Sequence, residues 1–264
     1  MAGGDGIWGR GSAYERYVGR WSSRIAPLFL DWLDLPPGLS WLDVGCGTGA
    51  LTECILDRTA PARVVGVDPA EGFVAAAAER LGGRATVAVA GADDLPLPDA
   101  SVDCAVSGLV LTFVPDAPSA LAESLRIVRA GGTVAACVWD YAGRMELMRR
   151  FWDAAAALDP VAAEIDEGPR FPLAHPDALV ALFTDAGCSA VEVTALDVPT
   201  VFADFDDYWE PFLGGQGPAP AYAMSLDEDA REALRRRLDT TLPREPDGSI
   251  ALVARAWAVR GIVP

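Results

Sequence analysis

This chain contains no lysine, and all 21 of its basic residues are arginine. A protein without lysine forms no Schiff base with a carbonyl substrate, and it lacks the lysine that contacts phosphates in a Walker-type site. Aldol-type amine catalysis and P-loop phosphoryl transfer are therefore not expected. Histidine is nearly absent as well, so an imidazole base is available only at His175.

Positive charge is scarce relative to negative charge. The 21 arginines face 38 aspartates and glutamates, which gives a net charge of -17. Such an acidic surface repels phosphate backbones and anionic lipids. The sequence also shows no uninterrupted apolar run of about 18 residues and no secretory-signal pattern. We therefore expect neither nucleic acid nor a membrane as a partner.

The cysteines are few and irregularly spaced. There are five of them, and no two form a CxxC pair. An odd number at such spacing fits neither a disulfide framework nor a zinc site. We interpret them as reduced thiols of a cytoplasmic protein and expect no metal site. They are Cys46, Cys54, Cys104, Cys137 and Cys188.

Short β-branched runs alternate with helical segments between residues 40 and 138, a pattern typical of a parallel sheet with crossover helices. The predicted strands are Ser40–Val44, Arg63–Val67, Ala85–Ala90, Val102–Ser107 and Thr133–Val138. The predicted helices are Ala50–Arg58, Gly72–Leu81 and Ala117–Val128, with Gly131 and Gly132 as the helix stop. Further along, the predicted elements are a helix at Met145–Leu158, a loop at Asp159–Phe171, a helix at Asp177–Ala186, a strand at Ala190–Asp197, a charged helix at Leu226–Leu238 and a strand at Ile250–Val259.

A glycine-rich turn follows the first strand in the stretch LDVGCGTG, residues 42–49. Glycines at 45, 47 and 49 allow a sharp bend and a close approach of a ligand, and the next helix directs free N–H groups at it. This predicts a nucleotide-type pocket. Because Gly45-x-Gly47-x-x-Ala50 also fits the dinucleotide fingerprint, a nicotinamide-dependent oxidoreductase is an alternative.

Two carboxylates favour S-adenosylmethionine over a dinucleotide. Asp43 precedes the first glycine by two residues, where negative charge would disfavour a pyrophosphate but attract a cationic amine. Asp68 ends the second strand, where a carboxylate commonly holds ribose hydroxyls. An amine together with a ribose matches S-adenosylmethionine, whose demethylated product is S-adenosylhomocysteine.

Residues 14–138 resemble the class I S-adenosylmethionine-dependent methyltransferases, in the small-molecule group that includes the ubiquinone-biosynthesis C-methyltransferases. The resemblance rests on LDVGCGTG, VVGVDPA, GADDLPLPDASVD and SGLVLTFVPD in family order. It implies an α/β fold with a Rossmann-like seven-stranded sheet, mostly parallel with an antiparallel C-terminal strand, and helices on both faces. It also implies methyl transfer to an O, N or C atom of a small acceptor, which apolar and aromatic residues in the inserted segments suggest is apolar or aromatic.

The resemblance assigns most of the cofactor site. Asp43 and the glycine turn hold the methionine end, Asp68 takes the ribose hydroxyls, and the adenine packs near Pro69 and Phe73. Its edge meets Asp93 or the backbone of Ala92, although relatives commonly carry an acid where this chain has Gly91. The predicted cofactor-binding residues are Tyr14, Tyr17, Trp21, Asp43, Gly45, Cys46, Gly47, Asp68, Pro69, Phe73, Ala92, Asp93 and Ser107.

The catalytic group is less well marked. Relatives often place histidines where this chain has Thr112 and Phe113, so no base is expected there. If the acceptor must lose a proton, the predicted catalytic candidates are Asp140 and Tyr141, which follow the fifth strand, and His175. The missing histidines leave a second alternative, a protein of this fold that binds the cofactor without transferring the methyl group.

The chain is expected to divide into three parts. Residues 1–36 are predicted as an N-terminal helical cap, whose segment Tyr14–Trp21 resembles a helix that closes over the cofactor. Residues 37–200 and 245–264 are predicted as the cofactor-binding domain. Residues 201–244 are predicted as a helical lid, with a dimer contact as the alternative, so both a monomer and a homodimer are compatible with the sequence.

Overall fold

The computed structural model describes residues 19–214 and 217–264. Within them a seven-stranded sheet has the order β3-β2-β1-β4-β5-β7-β6. Parallel pairing joins β1 to β2 and β4, β2 to β3, and β4 to β5, whereas β7 runs antiparallel to β5. The predicted fold class is confirmed. The strands are β1 (Ser40–Val44), β2 (Arg63–Asp68), β3 (Thr86–Val89), β4 (Val102–Gly108), β5 (Val128–Trp139), β6 (Ser189–Phe202) and β7 (Ile250–Ile262).

Helices connect most of the strands, and 3-10 turns lie at Leu111–Phe113 and Glu210–Gly214. No helix in the described ranges is long and apolar enough to cross a bilayer. The helices are α1 (Arg20–Leu33), α2 (Ala50–Arg58), α3 (Glu71–Leu81), α4 (Ala117–Ile127), α5 (Glu146–Ala156), α6 (Ala162–Ile165), α7 (Glu167–Arg170), α8 (Pro176–Asp185), α9 (Phe205–Trp209), α10 (Pro218–Ser225) and α11 (Glu228–Thr241).

Helices cover both faces of the sheet, as the first strand shows. Leu42 and Val44 are buried in one apolar cluster with Leu121 of α4 and Phe183 of α8. Asp43 lies between them in sequence and bonds instead to Thr52 of α2. Because successive side chains of a strand point to opposite faces, α2 covers the face opposite to α4 and α8. The strand order reverses at β1, between β2 and β4, and ligands of open α/β sheets bind at such a switch point.

We predicted that Gly131 and Gly132 stop a helix before the fifth strand, and this prediction is wrong. Helix α4 already ends at Ile127, β5 begins at Val128, and the register between β4 and β5 shifts near this point. Gly131 has φ +75°, and a Cβ on Gly132 would lie 2.6 Å from the carbonyl oxygen of Asp103. The two glycines therefore form an irregularity inside β5: the backbone conformation favours glycine at 131, and a side chain has no room at 132.

We predicted a loop at residues 159–171, and this prediction is wrong because these residues contain α6 and α7. Asp166 initiates α7, since its Oδ1 accepts the N–H of Gly168 at 2.8 Å. Helices of four residues are too short to show an apolar period in the sequence. Helix α10 begins at Pro218, where proline is well suited to the first helical turn.

The chain divides into two compact units. The sheet unit comprises residues 23–139, 173–196 and 256–264, and the helical unit comprises the described parts of 1–22, 140–172 and 197–255. In the helical unit, aromatic rings pack on each other, with the Phe151 and Phe212 centroids 4.4 Å apart. Tyr208 donates its hydroxyl to the Leu147 carbonyl at 2.9 Å. The three-part division into 1–36, 201–244 and the remainder stays a prediction.

Candidate functional site

The glycine turn connects β1 to α2 and is anchored on β2. The N–H groups of Gly45 and Cys46 donate to the Val67 carbonyl at 2.8 and 2.9 Å. Gly45 has φ +75°, and a Cβ there would lie 2.5 Å from Cγ1 of Val110. Gly47 also has positive φ, at +53°, yet an added Cβ would meet no atom within 4 Å. Packing thus demands glycine at 45, whereas the space above Gly47 is open to a ligand.

Asp68 lies at the end of β2, directly beside the turn. Its Oδ2 accepts the N–H of Gly47 at 3.0 Å, and its Oδ1 accepts the N–H of Ala70 at 2.9 Å. The residue is only 7% exposed. These two bonds fix the carboxylate, and each oxygen keeps a lone pair for a further donor such as a hydroxyl group.

Asp43 is the most deeply buried acid of the turn region, at 1% exposure. Its Oδ2 accepts the Thr52 hydroxyl at 2.7 Å. Its Oδ1 is buried and has no hydrogen-bond partner among the residues that the structure describes. Burial raises the pKa of Asp43 to about 7, although the hydrogen bonds from Thr52 act to lower it. A cation placed at Oδ1 would favour the ionised carboxylate and satisfy this atom.

This set of groups fits a ligand that carries both an amine and a ribose. Asp43 has an unused buried acceptor, Asp68 is held ready for hydroxyls, and Gly47 leaves room for close approach. Cys46 belongs to the same turn, but burial raises the pKa of its thiol, which makes it a packing group rather than a nucleophile. The structure therefore brings together Asp43, Asp68 and the turn at residues 45–47.

The predicted adenine-side residues also lie in the sheet unit. Pro69 is exposed and Phe73 is half-buried at the start of α3, while Ala92 is half-buried and Asp93 exposed after β3. A Cβ on Gly91 would lie 2.6 Å from Oδ1 of Asp93, so the Asp93 carboxylate occupies the space of a side chain at 91. Their role in binding adenine stays a prediction.

Four more of the predicted cofactor residues are spread over the chain. Ser107 is half-buried near the end of β4 in the sheet unit. Tyr14 and Tyr17 lie outside the described residues. Trp21 is buried in the helical unit, where its ring packs edge-on against Phe202 at 5.5 Å. Contacts of these residues with a cofactor remain predictions.

Two of the three predicted catalytic residues follow β5 in the helical unit. Both carboxylate oxygens of Asp140 accept backbone N–H groups, from Gly143 at 3.0 Å and from Arg144 at 2.9 Å. Asp140 thus closes the turn that leads into α5. Tyr141 is buried, and its ring lies 5.0 Å from that of Phe171.

The third predicted catalytic residue, His175, is exposed in the sheet unit at the start of α8. Its carbonyl accepts the N–H of Leu179, and Pro176 follows it in the first helical turn. No hydrogen bond recorded among the described residues joins its side chain to Asp43, Asp68 or the glycine turn. The catalytic roles of Asp140, Tyr141 and His175 therefore stay predictions.

Sequence reasoning missed Thr52 and Val110. Thr52 fixes the Asp43 carboxylate, and Val110 makes glycine obligatory at 45. A threonine in the first turn of the helix after the glycines was a usable signal, because a hydroxyl on that face can reach the preceding strand. Nothing in the local pattern marks Val110, since its contact depends on how β4 pairs with β1.

The sheet order and the glycine turn give this protein a Rossmann-like fold. Residues 42–136 match the family model described as a methyltransferase domain. This match agrees with the resemblance to class I S-adenosylmethionine-dependent methyltransferases that the sequence shows in the same stretch.

Named relatives are similar to part of the chain. Malonyl-[acyl-carrier protein] O-methyltransferase from Serratia marcescens is 37% identical over 98 residues, which are 37% of either chain. Nocamycin O-methyltransferase from Saccharothrix syringae is 36% identical over 115 residues, or 42% of this chain and 41% of that one. The chain thus spans about two fifths of the length of these curated relatives.

A solved structure shares the fold. Phosphoethanolamine N-methyltransferase 2 from Haemonchus contortus, in complex with S-adenosyl-L-methionine, superposes with a TM-score of 0.59 at 18% identity. The match covers 96% of this chain and 56% of that one.

Proposed function

We propose that this protein is an S-adenosylmethionine-dependent methyltransferase that acts on a small organic molecule. The observation that carries the proposal is the buried, unpartnered Oδ1 of Asp43 beside an open glycine turn. A pyrophosphate would gain nothing from a carboxylate at this place, whereas an ammonium group would. The similarity to two O-methyltransferases supports the same reaction class.

In this proposal the sheet unit holds the cofactor. Asp43 binds the ammonium group of the methionine end, and Asp68 accepts the ribose hydroxyls. Residues 69–73 and 91–93 enclose the adenine, and Ser107 borders the site. Tyr14, Tyr17 and Trp21 are proposed as further cofactor-binding residues. When bound, the cofactor supplies a methyl group activated by a sulfonium centre, and the chain contributes alignment and exclusion of water.

The acceptor is proposed to be apolar or aromatic, attacking through an O, N or C atom. A base is needed only where that atom carries a proton. Asp140, Tyr141 and His175 are the proposed candidates. Of these, Asp140 already accepts two backbone N–H groups, so it would take up a proton at the expense of one of them. This favours Tyr141 or His175 for any proton transfer.

Calorimetry separates the proposal from its rivals. We expect heat of binding with S-adenosylhomocysteine and none with NADH, and the Asp43→Asn variant should lose most of the first signal. Asp185→Asn, an exposed acid at the end of α8, is the matched control and should bind normally. Binding of NADH instead would favour an oxidoreductase.

A methyltransferase and a protein that only binds the cofactor differ in whether a methylated product forms. Incubation with methyl-labelled S-adenosylmethionine and a set of phenols, quinols and carboxylic acids should yield a labelled product. Cofactor binding without any labelled product, across acceptors of all three classes, would favour a protein that binds the cofactor without methyl transfer.

We also propose that the protein works in the cytoplasm. All five cysteines are free thiols, four of them buried, which suits a reducing compartment. A monomer and a homodimer are both compatible with this proposal, and sedimentation of the full chain distinguishes them.

A further inference from the structure

The helical unit contains a carboxyl group that the proposed chemistry does not use. Glu167, the first residue of α7, is only 2% exposed, although glutamate is rarely buried to this extent. Its Oε2 accepts the indole N–H of Trp152, which is itself 1% exposed. The neighbouring charged groups are Arg149 and Asp166, and these two pair with each other. Glu167 is thus buried with an indole, rather than a dedicated cation, as its side-chain partner.

A direct chain of contacts leads from Glu167 to Tyr141. Phe171 closes α7 by donating its N–H to the Glu167 carbonyl at 3.2 Å. The ring of Phe171 lies 5.0 Å from that of Tyr141. A Cβ on Gly168 would lie 3.2 Å from Cα of Ala142, so α7 also packs directly on the backbone after Tyr141. The position of α7 therefore bears on Tyr141 through its ring and through its neighbour in the chain.

We propose that Glu167 is a positioning residue: its hydrogen bond with Trp152 holds α7 in place, and α7 in turn holds Tyr141. The proposal rests on the proposed function in one respect, because it gives significance to Tyr141 as an acceptor-side residue. Trp152 lies on α5, which begins a few residues after Tyr141, so the bond joins α5 to α7 within the segment 141–171.

Protonation of Glu167 should control this arrangement. Burial raises the pKa of Glu167 to about 7, and Asp166 acts in the same direction. The hydrogen bonds from Trp152 and from its own backbone, and the charge of Arg149, lower the pKa but do not offset burial. In the closed arrangement α7 is packed as described and Glu167 is buried, whereas in the open arrangement Glu167 is solvated and has its ordinary pKa of 4.5. Because the pKa of Glu167 is higher in the closed arrangement, closure is fully favoured below pH 4.5. Closure then weakens as the pH rises to about 7.

Hydrogen exchange of the full chain, followed by mass spectrometry, tests the proposal. After correction for intrinsic exchange rates, opening of residues 140–172 should increase about tenfold per pH unit between the two pKa values and level off above the higher one. Glu167→Gln keeps an acceptor for the indole but cannot ionise, so its protection should be high and independent of pH. Glu164→Gln, an exposed glutamate in α6, is the matched control and should behave as the wild type.

A second variant should shift the pH dependence of opening in a direction that a purely structural role of Glu167 does not predict. Trp152→Phe removes a hydrogen bond that lowers the pKa of Glu167, so the pH at which opening levels off should move upward. An unchanged pH profile in folded Glu167→Gln, or a downward shift in Trp152→Phe, would overturn the proposal. Cofactor binding by calorimetry is measured separately, so failure of the proposed function is distinguishable from failure of this inference.

Discussion

The hydroxyl of Thr52 donates to Oδ2 of Asp43 at 2.7 Å and leaves Oδ1 of the same carboxylate buried without a partner among the described residues. One oxygen is thus used to orient the group and the other is available to a ligand. The proposed cofactor site can therefore be tested by replacing Asp43 and Thr52 separately.

Replacing Asp43 by asparagine should weaken binding of S-adenosylhomocysteine by roughly 10- to 100-fold. A hydrogen bond to a charged group contributes about 1.5–3 kcal/mol, which corresponds to that range of affinity. Calorimetry measures the change, and circular dichroism checks that the variant is folded. An affinity equal to that of the wild type would show that the ammonium group binds elsewhere.

Cofactor affinity should depend on pH through Asp43. Its pKa is raised to about 7, and a cationic ligand binds the ionised carboxylate. As the pH rises towards the pKa of Asp43, the dissociation constant of the cofactor should therefore fall about tenfold per pH unit. It should level off once that pKa is reached. Titrations between about pH 5 and pH 7.5 avoid the loss of charge from the ligand's own amine, whose pKa is near 8.

Thr52→Val supplies the companion test of this pH dependence. It removes a hydrogen bond that lowers the pKa of Asp43, so the pH at which affinity levels off should move upward. A profile that coincides with that of the wild type would mean that another group governs binding.

The two glycines of the turn should respond differently to alanine. Gly45→Ala places a Cβ 2.5 Å from Val110 at φ +75°, so thermal unfolding should show a loss of stability of about 1–3 kcal/mol. Gly47→Ala meets no atom within 4 Å, so its larger effect should be on cofactor affinity. The double variant Gly45→Ala with Val110→Ala should recover part of the lost stability, because it removes the colliding methyl groups.

The sheet and the turn were predictable because local sequence determines them. The helix expected at Ala50–Arg58 has those bounds in the structure, since the glycines fix where it begins. Strand β7 was predicted to end at Val259 but continues to Ile262. Gly261 interrupts the apolar pattern there, yet a Cβ on it would lie 2.7 Å from Cys188, so glycine is what allows this strand to pack.

Features that depend on distant contacts could not be predicted. No local pattern distinguishes a buried glutamate from a solvated one, and the partner of the buried Glu167 is a tryptophan two helices earlier in the chain. Likewise, Asp140 appeared in the sequence as a candidate base because it follows a strand of the sheet. Only the structure shows that its carboxylate accepts the N–H groups of Gly143 and Arg144.

The last prediction separates the two readings of Asp140. Asparagine can accept only one of the two backbone N–H groups, and its own NH2 would face the other, so Asp140→Asn should lower stability by about 1–3 kcal/mol. Thermal unfolding measures this loss at a pH where the wild type is well folded. Once an acceptor is known, turnover of the folded fraction decides the role: a residue that only closes the turn leaves kcat nearly unchanged, whereas loss of kcat at constant cofactor affinity would make Asp140 the base.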